Sequence, residues 1–120
     1  IPLAQLSSKT KKRLTVLFPK ICSINNPMDL VGGATDERYK IAIDACMRDR
    51  NIDFLLVILL PQTPLISKKV INELKKFKKK PMAFIVTGGE RTKPFSKELN
   101  KHFPVFEYPS EAVKALKKFI

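Results

Sequence analysis

Apolar positions recur along this chain at two periods. Leu14, Leu17 and Phe18 share a helical face that begins at Ser7 or Ser8 and ends before Pro19. Serine caps helices and proline stops them, so a helix is predicted from there to about Phe18. Tyr39, Ala42, Ile43, Cys46 and Met47 repeat the spacing behind Thr35. Thr35 is a good N-cap, and Asp36 and Glu37 sit in the first turn, where the helix dipole favours acid. Ile66, Val70, Ile71, Leu74 and Phe77 make a third face, and Phe95 and Leu99 anchor a short fourth helix before Phe103-Pro104. Pro109 and Ser110 open a fifth, with Val113, Leu116 and Phe119 inward. Between these lie uninterrupted apolar runs, Phe54 to Leu60 and Met82 to Val86, and a shorter strand from Val105 to Tyr108. Continuous hydrophobicity predicts strands buried on both faces, as in a parallel sheet. Ile1 to Leu6 is short, apolar and extended by pattern, and reads as a further strand.

Regular alternation of helix and strand implies an α/β fold with right-handed crossovers and helices on both sheet faces. Ligands in such folds bind at loops after the carboxyl ends of the strands. Those loops are Pro61 to Leu65, Thr87 to Thr92 and Tyr108 to Ser110.

The chain has 120 residues, so one domain is expected, and 44% hydrophobic content excludes a disordered tail. No apolar run reaches the length of a membrane span, and no signal peptide is visible, which makes the cytoplasm the default. A start at Ile1 reads as a processed product, an excised domain or the ordered part of something longer. The formal charge is +12, from 23 Lys plus Arg against 11 Asp plus Glu. The lysines are spread over several helices and are not interleaved with aromatics, and arginine is scarce. That pattern reads as a solvated surface and argues against a nucleic-acid partner, beyond weak polyanion binding at low salt. Cys22 and Cys46 lack metal-ligand spacing, and a disulfide is disfavoured in a cytoplasmic protein.

The irregular stretch from Ile21 to Gly33 holds the densest chemistry. Asn26-Pro27 makes a turn, Asp29 follows, and Gly32-Gly33-Ala34-Thr35 leads into a helix. Glycines before a helix N-terminus let backbone N–H groups point at an anion, and the dipole favours negative charge there. Asn26, Asp29, Gly32, Gly33, Ala34 and Thr35 are therefore candidate phosphate-facing residues. A turn role for Asp29 and for both glycines is at least as well supported by sequence. Gly88, Gly89 and Glu90 form a secondary candidate loop, which reads equally as a strand-to-helix connection. Glu90 has no partner base or second carboxylate at useful spacing, and no Ser-His-Asp set, zinc site or full phosphate-loop signature is present. No catalytic residue is assigned.

The segment from Asn26 to Tyr39 resembles the Asn-Pro-x-Asp-Leu-x-Gly-x-Ala motif of NDP-forming acyl-CoA synthetases, which include ADP-forming acetyl-CoA synthetases. It is also similar to a Gly-rich segment in the carboxy-terminal domain of the succinyl-CoA synthetase β subunit. Asn51-Ile52-Asp53 with its strand, Pro61-Gln62, Lys80-Pro81, Gly88-Gly89-Glu90 and Phe106 to Leu116 continue the likeness, as do Leu3 to Ser7 and Thr10 to Leu14. The resemblance implies one flavodoxin-like CoA-ligase domain over residues 1–120, a three-layer parallel sheet lacking its first strand and helix. It implies an enzyme that converts an acyl-CoA, NDP and phosphate to the acid, CoA and NTP through a phosphohistidine. This domain would receive the phosphohistidine loop at helix N-termini and be inactive alone. CoA, ADP or ATP, and magnesium are implied for the full enzyme, with none bound by this domain alone. The implied partners are CoA-binding, histidine-bearing and ATP-grasp domains or subunits.

Two departures accompany the likeness. The strand and Gly-rich turn that open the family's domain are absent, so Ile1–Leu6 lacks its usual neighbour. Either a partner chain replaces that strand, or the N-terminal segment repacks, or the chain is a fragment. The family's histidine is absent too, since His102, the one histidine, falls at a helix end. Two further readings stay open: a synthetase-like regulatory region without ligation, such as those fused to protein acetyltransferases, and a basic nucleic-acid-binding α/β module.

Overall fold

Ser7 begins the first helix as its sequence position suggests: its hydroxyl accepts the Thr10 amide, and helix α1 runs Ser8–Leu17. In a computed structural model that describes residues 3–31, 34–61 and 67–118, α1 packs on α2, Asp36–Arg48. Leu14 and Phe18 meet Ala42 and Ala45 there, in a cluster apart from the main core. Strand β1, Leu55–Leu59, pairs in parallel with β2, Met82–Val86, and β2 pairs in parallel with β3, Val105–Phe106. The sheet order is β1-β2-β3. Helices α3, Lys69–Leu74, and α4, Lys93–Leu99, precede β2 and β3, and α5, Pro109–Lys117, follows.

Residue register separates the two sheet faces. Leu55, Val57 and Leu59 lie beside Met82, Phe84 and Val86. All six join the main core with Ile43 and Met47 of α2, Val70, Ile71 and Leu74 of α3, and Phe95 and Leu99 of α4. The opposite face carries Ala83 and Ile85 of β2, and α5 packs against β2 and β3 with Ala112 fully buried. This is the expected α/β fold with a parallel sheet, consistent with a flavodoxin-like fragment.

Several expectations from the sequence are corrected. Leu3 to Ser7 forms no strand. This segment is instead pinned by side chains: the Asn26 amide donates to Ala4 O at 2.8 Å, the Asn51 amide to Gln5 O at 3.1 Å, and Leu6 is buried. Ile1 and Pro2 of that expected strand lie outside the described residues. Strand β1 is buried on one face only. Leu56 is 38% exposed and Ile58 53%, because no described element covers them and no described strand pairs with the far edge of β1. On α5 the inward residue is Ala112, whereas Val113 is exposed and Phe119 lies outside the described residues. The third strand stops at Phe106.

Candidate functional site

The segment from Ser23 to Ala34 is held by its own hydrogen bonds. Ser23 and Asp29 exchange backbone bonds of 2.9 Å in a small antiparallel bridge around a cis Asn26–Pro27 peptide. Asp29 Oδ1 accepts the Val31 amide at 2.9 Å, an Asx-type turn, so the turn role for Asp29 is met in full. Val31 takes a left-handed conformation with φ 60°, unusual for a β-branched residue, and its carbonyl accepts the Ala34 amide. The Arg38 guanidinium reaches back to Leu30 O at 2.9 Å. Gly32 and Gly33 lie outside the described residues.

Thr35 caps α2 as expected, its hydroxyl accepting the Arg38 amide at 3.2 Å. The first backbone N–H groups of a helix have no partner within it and point away from its start. Three bonds fix where that start lies. Asp36 accepts the Ser67 amide at 3.0 Å and its hydroxyl at 2.6 Å, and the Tyr39 hydroxyl donates to Ile58 O at 3.1 Å. Ser67 follows β1 and precedes α3, so the N-terminus of α2 stands at the carboxyl end of the sheet, the usual ligand edge of such folds. Burial pushes the Tyr39 phenol above its ordinary pKa, and the nearby Asp29 carboxylate adds to that. Asn26 is turned to the N-terminal segment through Ala4, and Ala34 is buried.

The Gly88-Gly89-Glu90 loop lies after β2. Gly88 at φ 135° and Gly89 at φ 67° take left-handed conformations and start a 3₁₀ turn, Gly89–Thr92, that leads into α4. Glu90 is exposed and pairs with Lys93 at 2.7 Å. A cleft of about 240 Å³ opens beside Gly89, lined by Val86, Lys93, Lys97 and Phe106 among others. No described bond joins this loop to the one before α2.

The opposite end of α2 is anchored by residues to which the sequence assigns no role. Lys80 donates to the carbonyls of Cys46, at 2.9 Å, and Asp49. Asp49 is buried and accepts the amides of Ser7 and Asn51, both at 2.8 Å. An Asp-x-Asn triplet ending a helix is the one signal that points there. Cys46 sits nearby, half-buried, and burial pushes its thiol up to about 11, with Asp49 adding to the effect. Both cysteines are free. His102 is exposed past the end of α4.

Among the described residues no group of three or more His, Cys, Asp or Glu converges to hold a metal. No described helix is long and apolar enough to cross a membrane.

No family model matches the chain. It is 27% identical over 117 residues to an ADP-forming acetate–CoA ligase I of Archaeoglobus fulgidus, a match covering 97% of this chain and 17% of the relative. It is 26% identical to the α subunit of an ADP-forming acetate–CoA ligase II of Pyrococcus furiosus, covering 96% of this chain and 27% of that subunit. A crystal structure of a Pyrococcus horikoshii OT3 protein superposes with a TM-score of 0.79 at 25% identity, over 91% of this chain and 27% of that one. A dinucleotide-forming acetyl-CoA synthetase 1 of Candidatus Korarchaeum cryptofilum shares the fold, with a TM-score of 0.76 at 22% identity, over 91% of this chain and 25% of that one. The chain spans about a sixth to a quarter of the curated relatives it matches, and its homologues are ADP-forming acetyl-CoA synthetases.

Proposed function

We propose that residues 1–120 are a flavodoxin-like domain of an NDP-forming acyl-CoA synthetase, and that the loop before α2, with the α2 N-terminus, receives that enzyme's phosphohistidine loop. The domain performs no chemistry by itself. The observation that carries this reading is the Asp36–Ser67 contact, which holds the α2 N-terminus at the carboxyl end of β1. An anionic group approaching there meets backbone N–H groups and the positive end of a 13-residue helix.

The first turn also explains why this is half a site. Asp36 and Glu37 place two carboxylates beside the amides, and each opposes a phosphate. Asp36 turns its charge toward Ser67, and Glu37 pairs with Lys40 at 3.4 Å. What remains favourable is the set of N–H directions, which is enough to orient a phosphorylated loop delivered by other domains. CoA, the nucleotide and magnesium are then the business of those domains or subunits. In this reading Asn26 and Asp29 shape the loop, Thr35 fixes the helix start, and Gly32, Gly33 and Ala34 give close approach. The Gly88-Gly89-Glu90 loop is a connection.

In the assembled synthetase, Asp29→Ala removes the bond that sets Val31. It is expected to slow phosphoryl transfer by about 2- to 10-fold, the worth of one net hydrogen bond, while CoA affinity stays near wild type. Single-turnover transfer and equilibrium CoA binding measure the two separately. Equal losses in both place Asp29 elsewhere in the mechanism. A full-length protein with no transfer at all, in wild type, supports a synthetase-like region without ligation instead.

A further inference from the structure

The outer side of α1 combines two features that work against an isolated helix. The first is apolar. Leu14 and Phe18 pack inward on Ala42 and Ala45 of α2. Val16 is 84% exposed and Leu17 49%, and Ile21 follows in the next turn at 75%. Single exposed apolar side chains are ordinary on a surface, but these three fall within six positions. Val16 is also β-branched, so it loses side-chain freedom in a helix and gains no burial in return.

The second feature is charge. Residues 1–28 include Lys9, Lys11, Lys12, Arg13 and Lys20 and no Asp or Glu. Lys9 stands in a first turn that holds no acid, where the helix dipole disfavours a cation. Lys12 and Arg13 lie three and four positions from it, spacings at which like charges repel. Asp44 answers Arg13 at 3.7 Å. Lys9, Lys12 and Lys20 are exposed, and no described carboxylate pairs with them. The residues outside the described ones include no Asp or Glu. At about 100° per residue, Lys9, Lys12 and Val16 fall within about 60° of one another, opposite Leu14. Local choices that oppose an element belong where something outside it compensates.

We propose that this face of α1 is a docking surface for an acidic amphipathic helix from another domain or subunit of the synthetase. That source rests on the synthetase reading above. Carboxylates of the visiting helix face Lys9 and Lys12, and its apolar residues cover Val16 and Leu17, with Lys20 and Ile21 at the far end. The two features together select this occupant. A nucleic acid answers the lysines, yet it leaves Val16, Leu17 and Ile21 wet and finds no exposed aromatic on α1 to stack on. A second copy presents the same lysines and is repelled. An acidic helix neutralises the adverse charges and buries the apolar residues in one contact. The homologous enzymes carry about three-quarters or more of their length outside this region, so such a segment has a source. The Ser7 amide donates to Asp49, which ties the start of α1 to the end of α2 and presents the face in a fixed position.

Charge reversal in the intact synthetase tests this, because docking and helix stability respond with opposite signs. In Lys9→Glu/Lys12→Glu the α1 amides are expected to exchange on the order of tenfold faster, since docking is lost. If nothing docks, the same change removes the dipole conflict and slows their exchange about 2- to 5-fold. A zero-length carbodiimide reaction on the wild type joins Lys9 or Lys12 to Asp or Glu outside residues 1–120. Val16→Ser keeps both lysines, changes an exposed position and is expected to weaken that cross-link. Slower or unchanged exchange in the double variant overturns the proposal, as do cross-links confined to residues 1–120. Binding to phosphatidylserine vesicles that the double variant abolishes assigns the face to a membrane and overturns it too. Phosphoryl transfer by an enzyme without these cross-links sinks only this inference. Cross-links to an acidic helix in a polypeptide without transfer leave the docking face and sink the enzymatic reading.

Discussion

Asp49 follows the last turn of α2, and its two oxygens accept amides from residues 42 positions before it and two after. Burial alone raises its pKa, but the amide bonds from Asn51 and Ser7 outweigh this and hold it below the usual carboxylate value. A depressed folded pKa means the unfolded chain takes up the proton first as pH falls. The stability Asp49 adds is therefore complete above about pH 5 and is lost as pH drops below about 4 and through its lowered folded value. Asp49→Ala is expected to cost about 1–3 kcal/mol at neutral pH, because two amides lose their acceptor. Denaturant unfolding of wild type and variant at pH 7 and at pH 3 measures this. The two proteins draw together at the lower pH. A constant gap assigns the effect to packing.

At the scale of elements, α2 owes its start to a local device. Thr35→Ala is expected to destabilise the chain by about 0.5–2 kcal/mol and to raise amide exchange in the first turn of α2. Unchanged exchange there means Asp36–Ser67 alone fixes the helix start. Both major helix starts, Ser7 and Thr35, were legible in sequence because a cap depends on residues three positions apart. The β1 pattern was not. A run from Phe54 to Leu60 predicts two buried faces, but burial of the second needs an element that the described residues do not supply. The N-terminal segment misled for the opposite reason. It is apolar and reads as a strand, yet its backbone partners are the side chains of Asn26 and Asn51, and no local pattern announces them. At the candidate site Asp29 and Thr35 were visible by type and position. Ser67 and Lys80 were not, since each acts on residues more than 30 positions away.

For the whole molecule, the excess of 12 positive charges comes from lysines and arginines spread along the sequence. Described ion pairs such as Lys93–Glu90 and Lys101–Glu98 are exposed and local, each worth little. RNA binding by this chain is expected to be detectable at about 20 mM salt and gone by about 150 mM, as counterion release dictates. Fluorescence anisotropy across a salt series checks it. Retained binding at the higher salt restores the nucleic-acid reading.

Helix α2 is clamped at both poles: Asp36 and Tyr39 at one end, Lys80 and Asp49 at the other. A rod fixed at both ends has little freedom to tilt. The orientation of its leading amides is settled during folding, so a visiting anion causes little rearrangement of the helix. On the proposed reading, whatever adjustment an approaching loop requires would fall on that loop, with the helix as a preorganised gauge for its alignment.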